Sequence, residues 1–127
     1  MPVEISHSKV DSIALVSLQG TIVAGKDTEI VASKLEELLE AGENQIVLDL
    51  GEVTFIDSSG ISALVKAYTL VERKGGKLKL LHLTKRIHEV LQITRLSSVF
   101  EIFDDLRKAV ASFANGAEGG GPPPAGS

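Results

Sequence analysis

The sequence predicts a single α/β domain whose sheet has four or five strands and is at least partly parallel. Two observations lead to this prediction. Segments with the apolar pattern of strands alternate along the chain with segments that have the 3.6-residue period of helices. The chain has 127 residues, the usual size of one domain, and its 43% hydrophobic content is enough for a substantial core.

Five segments have the character of strands. Two near the N-terminus have the apolar spacing of strands. The third is an almost continuous apolar run, which is typical of a strand buried on both faces of a sheet. The fourth follows a Gly-Gly pair, and the fifth is short. In chain order the predicted strands are VEISH, SIALVSLQG, QIVLDLG, KLKLLHL and SVFEIF.

Four segments have the period of helices. In the first, Asp27 is placed to cap the N-terminus, Ile30 belongs to the predicted apolar face, and Gly42 stands where the helix should stop. The second should stop before Gly75-Gly76. The predicted helices are 27–41, 58–74, 84–94 and 104–113.

The C-terminal segment differs in composition from the rest of the chain. From Asn115 onward it reads NGAEGGGPPPAGS, in which Gly, Pro and Ala dominate and nothing can bury much apolar area. We therefore expect a folded domain over residues 1–114 and a disordered Gly/Pro-rich tail over residues 115–127.

Composition argues against several classes of function. The absence of Cys removes disulfides, thiolate catalysis and zinc–sulfur sites. Aromatic residues make up only 4% of the chain and the net charge is −4, so we expect no nucleic-acid partner. No signal peptide is visible, and no apolar stretch approaches the roughly 20 residues that cross a bilayer. We expect a cytoplasmic domain without a membrane partner.

The sequence offers little for catalysis. Its three His residues are scattered, and no GxSxG motif is present. The segment GTIVAGKD, residues 20–27, nearly matches the phosphate-binding pattern GxxxxGK[ST], but Asp27 replaces the hydroxyl that would bind magnesium. Nucleotide binding is therefore one hypothesis. The preferred interpretation is a strand end, a turn at Gly25 and a helix cap at Asp27.

The most informative stretch is FIDSSGISALV, residues 55–65, where a predicted strand meets a predicted helix. Asp57, Ser58 and Ser59 lie at the helix N-terminus, where free N–H groups and the positive end of the helix dipole favour acceptor oxygens. Capping as their only role is the simpler interpretation. One cap needs one oxygen, however, so a hydroxyl is left near the carboxyl ends of the strands, where it can bind a ligand or accept a phosphate.

The helix that follows has a second informative feature. Ser62 and Lys66 belong to a polar stripe beside its core face, whereas Ala63, Ala67 and Leu70 put apolar side chains on the far side. The simpler interpretation is that these three contact the next helix along the chain. The alternative is a partly exposed docking face.

Nearly the whole predicted folded chain resembles the STAS domain family, and in particular the bacterial anti-sigma factor antagonists. The most specific part is the block DSSG, residues 57–60, after an apolar strand. Gly20 at a strand end, the Gly-Gly before KLKLL and the ending LQITRLSSVFEIF support it. The resemblance covers roughly residues 3–113. It implies a STAS-like mixed sheet of four to five strands with helices.

The resemblance also implies a function. Members of the family bind an anti-sigma factor that is also a serine kinase, and this binding frees a sigma factor. The kinase phosphorylates the serine directly after the aspartate, here Ser58, and a serine phosphatase resets the protein. ATP and magnesium belong to the kinase, so the chain would be no enzyme and need no cofactor or metal. We expect a monomer or weak dimer, with a partner interface at Thr21, Val23, Asp57, Ser58, Ser59, Gly60, Ser62 and Lys66.

One position departs from the family pattern. After the strand-end glycine the family often has Leu-Asp, with the acid near the acceptor serine. Here Ile22 is followed by Val23, and no acid appears until Asp27. This departure keeps an alternative open, namely an unswitched STAS module that binds other proteins in a larger bacterial signalling assembly. The intact block of residues 57–60 favours the phosphorylated regulator.

Overall fold

A computed structural model of the chain describes the backbone of residues 3–119 and the side chains of residues 3–114. Strands and helices alternate along the described chain, which confirms the predicted α/β class. The elements are β1 (Glu4–Val10), β2 (Ile13–Ile22), α1 (Lys26–Glu40), β3 (Gln45–Ile56), α2 (Ser58–Arg73), β4 (Lys77–Leu81), α3 (Lys85–Ile93), a 3₁₀ turn (Leu96–Ser98), β5 (Ile102–Phe103) and α4 (Leu106–Gly119).

The strands form one mixed sheet in the order β1-β2-β3-β4-β5. β1 is antiparallel to β2, and every other neighbouring pair is parallel. The three parallel connections pass through α1, α2 and α3, whose buried residues share one core on one face of the sheet. A common handedness of the crossovers accounts for this placement. α4 closes a smaller core on the other face.

β3 contributes to both cores, as its continuous apolar run predicts. Leu48 belongs to the core beneath α1, α2 and α3, and Val47 belongs to the core beneath α4. The same alternation places Leu80 and Leu81 of β4 in different cores. Because successive side chains of a strand point to opposite faces, burial on both faces requires apolar residues at consecutive positions.

β4 also carries a buried lysine on the α4 side of the sheet. The Lys79 side chain is 5% exposed, and its Nζ donates to Ser112 Oγ at 2.8 Å. The same Nζ lies 3.1 Å from Glu101 Oε1 and 4.5 Å from the centre of the Phe113 ring. A buried charge is costly unless it is paired, so these contacts tie α4 to the sheet.

Two predicted details are wrong. Ile30 is 37% exposed, because the buried face of α1 is centred on Val31, Leu35 and Leu38, and Ile30 lies beside that face. The last strand has two residues rather than six, because a 3₁₀ turn and the residues that follow it occupy most of the segment.

The C-terminal helix ends later than the sequence predicts. α4 continues to Gly119 instead of stopping at Phe113, so the helical backbone runs through Asn115 and Gly116. The boundary predicted at residue 114 therefore falls inside a helix. The rest of the predicted disordered tail, residues 120–127, lies outside the described residues.

Candidate functional site

The carboxyl ends of β2 and β3 bring two helix starts together at one edge of the sheet. Ile22 at the end of β2 pairs with Ile56 at the end of β3. The Asp57 N–H then donates to the carbonyl of Ile22 at 3.3 Å. The loop of residues 23–25 before α1 consequently lies beside the start of α2. This edge is where α/β domains commonly bind ligands and partners.

Asp57 joins these two helix starts. It is the N-cap of α2, and its Oδ1 accepts a hydrogen bond from the Gly60 N–H at 2.8 Å. Its Oδ2 accepts a second from the Ala24 N–H at 3.2 Å. Both carboxylate oxygens are therefore engaged, one inside α2 and one with the neighbouring loop. The capping role predicted for the block 57–60 belongs to Asp57.

Ser58 and Ser59 differ in exposure. Ser58, the first residue of α2, is exposed, whereas Ser59 is half-buried. Within the described part of the chain, neither hydroxyl makes a side-chain hydrogen bond, and Ser59 is not a cap. Ser58 therefore presents its hydroxyl to solvent at the positive end of the α2 dipole, next to the fixed carboxylate of Asp57.

Gly60 allows the start of α2 to approach the end of β2 closely. It is buried, and a Cβ atom at this position would collide with the carbonyl oxygen of Ile22 and the side chain of Ile56. Its visible contribution is the packing that fixes Ser58 relative to the sheet, while its N–H completes the Asp57 cap.

Asp27 does not cap α1, contrary to the sequence prediction. The N-cap of α1 is Gly25, with φ +97° and no side-chain hydrogen bond. Asp27 precedes Val31 by four residues, so it lies on the buried face of the helix and is only 5% exposed. Its Oδ1 accepts from the Val3 N–H at 3.1 Å, and its Oδ2 accepts from the Val23 N–H at 3.1 Å.

The Asp27 carboxylate also accepts a hydrogen bond from Thr21 Oγ1 at 3.3 Å. Burial raises the pKa of Asp27, but the hydrogen bonds from Val3, Val23 and Thr21 outweigh that effect and leave the pKa below its ordinary value of 3.8. Thr21 and Val23 are both half-buried. At the site, these two residues thus hold Asp27 and the loop before α1 in place.

The segment GTIVAGKD does not form a long phosphate-binding loop. Its residues 20–22 belong to β2, and only residues 23–25 separate β2 from α1. Asp27 at the magnesium-hydroxyl position is buried and hydrogen-bonded to the chain's own backbone. This geometry favours the interpretation as a strand end, a glycine turn and a helix start, with the correction that Asp27 is no cap.

Ser62 and Lys66 lie one and two turns after Ser58 on α2, and both are exposed. They line a groove of about 770 Å³ between α1 and α2, which begins at Ser58 and Ser59. We call it the α1–α2 groove. It accounts for the apolar residues predicted on the far side of α2, which face α1 rather than α3.

Ala67, one of those apolar residues, is buried, whereas Ala63 and Leu70 are half-buried. The prediction of contact with the next helix along the chain is therefore wrong about the helix. A βαβ crossover on each side of β3 puts α1 and α2 next to each other, and sequence order alone does not reveal that.

Other residues near the site were not assigned to it from the sequence. The exposed wall of α1 contributes Glu29 and Glu36 to the α1–α2 groove, and α2 contributes Arg73. At the end of β3, Phe55 is 41% exposed, with Arg86 Cζ 5.5 Å from its ring centre. The position of Phe55 near the site could have been predicted from the sequence. A residue two positions before the N-cap of α2 lies at the carboxyl end of β3, where the two helices start.

Two further classes of site have no support in the described chain. The described side chains, those of residues 3–114, include no group of three or more His, Asp or Glu placed to hold a metal ion. No helix within residues 3–119 is long and apolar enough to span a bilayer.

Comparison with known proteins places these features in a family. The profile of the STAS domain matches residues 4–109. The anti-sigma-B factor antagonist of Listeria monocytogenes is 33% identical over 104 residues, covering 79% of this chain and 86% of that protein. The anti-sigma F factor antagonist of Paenibacillus polymyxa is 24% identical over 106 residues, covering 83% and 88%.

Solved structures share the fold. An anti-sigma factor antagonist from Mycobacterium paratuberculosis superposes with a TM-score of 0.75 at 18% identity, over 87% of this chain and 92% of that one. The unphosphorylated form of the anti-sigma factor antagonist SpoIIAA gives 0.67 at 17% identity, over 89% and 99%. The match spans nearly all of the described chain, and it confirms the resemblance drawn from the DSSG block: the protein belongs to the STAS domain family.

Proposed function

We propose that this chain is an anti-sigma factor antagonist, which binds an anti-sigma factor serine kinase and is released when that kinase phosphorylates Ser58. The observation that carries the proposal is the exposed Ser58 hydroxyl, directly after the capping Asp57 at the start of α2. The names of the relatives support the general role. SpoIIAA, which shares the fold, also has a structure described as its phosphorylated form.

A phosphate on Ser58 is compatible with the fold. The positive end of the α2 dipole favours an anion there by about 0.3–1 kcal/mol. Asp57 stays engaged with the N–H groups of Gly60 and Ala24, so the cap need not rearrange. Since Ser58 is exposed, the phosphate also remains hydrated. We therefore expect phosphorylation to leave the fold and its stability nearly unchanged.

The same phosphate would strongly oppose binding. It adds about −1.5 to −2 charges next to the carboxylate of Asp57. A partner surface shaped around a neutral hydroxyl would then repel the phosphate, or would remove its water without providing hydrogen bonds in return. A loss of roughly 2–3 kcal/mol corresponds to about 30- to 150-fold in affinity. In the proposed cycle, the unmodified chain frees the sigma factor, and a serine phosphatase restores it in the cytoplasm.

The surface proposed for the partner extends from Ser58 along α2. Ser59, Ser62 and Lys66 would touch the partner with Ser58, since they are accessible along one side of the helix. The remaining predicted interface residues, Asp57, Gly60, Thr21 and Val23, would act by fixing the two helix starts. ATP and magnesium would be supplied by the kinase, so the chain itself would need no cofactor.

A second candidate function is an unswitched STAS interaction module. Val23 stands where relatives are expected to have an acid, and the next acid, Asp27, is buried and turned to the Val3 and Val23 N–H groups. A kinase that needs an acid beside the acceptor serine would find Asp57, which already accepts two N–H groups, and Glu29 in the first turn of α1. In this alternative the same surface binds a partner, but Ser58 is never modified.

Intact-mass analysis after incubation with ATP and the anti-sigma kinase of the source organism distinguishes the two candidates. We expect one phosphate on the wild-type protein and on Ser59→Ala, and none on Ser58→Ala. Calorimetric titration with the kinase should show wild-type affinity for Ser58→Ala and a loss of about 30-fold or more for Ser58→Asp. Binding without any phosphate transfer would support the unswitched module, and absence of both would reject the proposal.

A further inference from the structure

The α1–α2 groove has walls of opposite charge. Glu29 and Glu36 stand on the α1 wall, and Lys66 and Arg73 stand on the α2 wall. All four side chains are exposed. Each pair is separated by seven residues, which is two helical turns and about 10.5 Å along the axis. The groove therefore has two parallel lines of charge, one acidic and one basic.

Among the described side chains, no ion pair joins the two walls of the groove. Within residues 3–114, the ion pairs of α1 and α2 involve Glu37 with Lys34 and Glu72 with Lys77, and none joins Glu29 or Glu36 to Lys66 or Arg73. Oppositely charged side chains that face each other across an open groove remain available to a third body placed between them.

The floor of the groove allows a close approach. It contains the buried Leu35 of α1 and Ala67 of α2, with the half-buried Ala63 and Leu70 of α2 beside them. Small side chains let helices approach to the 8–10 Å between axes that is typical of packed pairs. A groove of about 770 Å³ has room for one face of a helix rather than for a whole helix. Its shape thus fits an elongated, partly exposed element laid along α1 and α2.

We propose that the α1–α2 groove docks an amphipathic helix of the anti-sigma factor, which carries basic side chains seven residues apart on the flank facing α1 and acidic side chains seven residues apart on the flank facing α2. The inference rests on the proposed function, because the groove begins at Ser58 and Ser59. It adds the chemistry of the partner element and a second contact region that Ser58 does not provide.

The docked helix would explain how one phosphate can control a larger interface. Ser58 lies at one end of the groove, and Glu36 and Arg73 lie near the other. The charge lines fix the register of the partner helix, because a shift by one residue rotates its charged flanks by about 100° away from the walls. With the register fixed, the end of the partner helix cannot slide away from a phosphate on Ser58.

A charge exchange tests the proposal without changing the net charge. The variant carries Glu36→Lys and Arg73→Glu together, so both walls are reversed at the end furthest from Ser58. Its control carries Lys9→Glu and Glu43→Lys, which exchanges a salt-bridged pair, 2.8 Å apart, outside the groove. The probe is the purified anti-sigma kinase that labels Ser58, and the readout is the association and dissociation rates by surface plasmon resonance.

We expect the groove variant to bind about 10- to 30-fold more weakly, mostly through faster dissociation, and the control to bind within about 2-fold of wild type. Intact-mass analysis with saturating kinase should still show phosphate on Ser58 in both variants. Wild-type dissociation of the groove variant would overturn the proposal and leave the proposed function intact. The proposal would also be overturned if the groove variant only associated more slowly than wild type and this difference disappeared at high salt. Such behaviour is typical of long-range electrostatic steering rather than of contacts in the bound state. A wild-type protein that neither binds nor is phosphorylated would reject the proposed function, and the docked helix with it.

Discussion

The starts of α1 and α2 occupy equivalent places in the fold, yet they are built differently. Each follows a parallel strand at the same edge of the sheet, and each has an aspartate within its first residues or just before them. Asp57 caps α2, and Gly60 packs that helix against the end of β2. Gly25 begins α1 without a side-chain cap, and a Cβ atom there would meet nothing within 4 Å.

The difference shows that the role of an acid near a helix start depends on its position relative to the buried face. Asp57 lies outside the helix and accepts N–H groups of α2 and of the adjacent loop. Asp27 lies one turn before Val31 on the buried face and accepts hydrogen bonds from three residues, one before β1 and two at the end of β2. As a result, Ser58 lies at the tightly packed start of α2, and Asp27 of α1 holds the loop of residues 23–25 next to it.

The largest contrast between the two starts should come from a single added methyl group. Gly60→Ala should lower the free energy of unfolding by about 4 kcal/mol or prevent folding, because its Cβ would meet the backbone of Ile22, which cannot move aside. Gly25→Ala, the matched control, has open space and only the strain of φ +97° and ψ −126°, so we expect a loss of about 1–3 kcal/mol without failure to fold. Urea denaturation measures both. Equal costs would mean that the start of α2 has room to adjust.

Asp27→Ala should have the next largest effect. It leaves the Val3 and Val23 N–H groups and the Thr21 hydroxyl without their acceptor, and we expect a loss of about 3 kcal/mol in urea denaturation. Glu29→Ala, which removes an exposed acid from the same helical turn, should cost less than about 0.5 kcal/mol. A loss below about 1 kcal/mol for Asp27→Ala would show that water readily replaces the carboxylate.

Asp57→Ala should cost less than Asp27→Ala, because its partners are closer to solvent. Loss of the cap and of the Ala24 hydrogen bond should lower stability by about 1.5 kcal/mol. Ser59→Ala should cost less than about 0.5 kcal/mol, since Asp57 is the cap. Thermal unfolding by circular dichroism compares the two variants. A larger loss for Ser59→Ala would reverse the assignment of the cap.

The smallest effect concerns acid pH. Because folding lowers the pKa of Asp27, its contribution to stability is present above the ordinary pKa of 3.8 and is lost as the pH falls through the folded value. We expect the difference in unfolding free energy between wild type and Asp27→Asn to be constant from about pH 7 to about pH 5 and to shrink below about pH 4. A difference that stayed constant down to about pH 3 would contradict the lowered pKa.

Much of the fold could be predicted from the sequence because its local signals agree with the tertiary structure. The alternation of apolar periods, with the apolar run of β3 and the glycines that end α1 and α2, predicted four or five strands and about four helices, and the observed elements follow that order. The lateral arrangement of the helices was less accessible. The geometry of the crossovers places α2 against α1. The apolar pattern of α2 shows which face is covered, but it does not indicate which helix covers it.

The site was predictable where a residue acts within its own segment. Asp57 before a helical period indicates a cap, and the cap is present. Asp27 showed the same local pattern, but its partners Val3 and Thr21 come from other parts of the chain. Long-range hydrogen bonds of this kind leave no periodic trace. The charge lines of the α1–α2 groove were missed for a related reason, because each helix holds only one of them.

Lys79 has a consequence for chemical labelling of the protein. Its amine is held against Ser112 and the Phe113 ring beneath α4, while the side chains of Lys9 and Lys77 are 48% and 61% exposed. An amine-reactive reagent should therefore modify the outer lysines first and reach Lys79 only when α4 leaves the sheet. The rate at which Lys79 becomes acylated therefore reports how often the C-terminal helix detaches from the sheet. This helix lies on the face opposite α1 and α2.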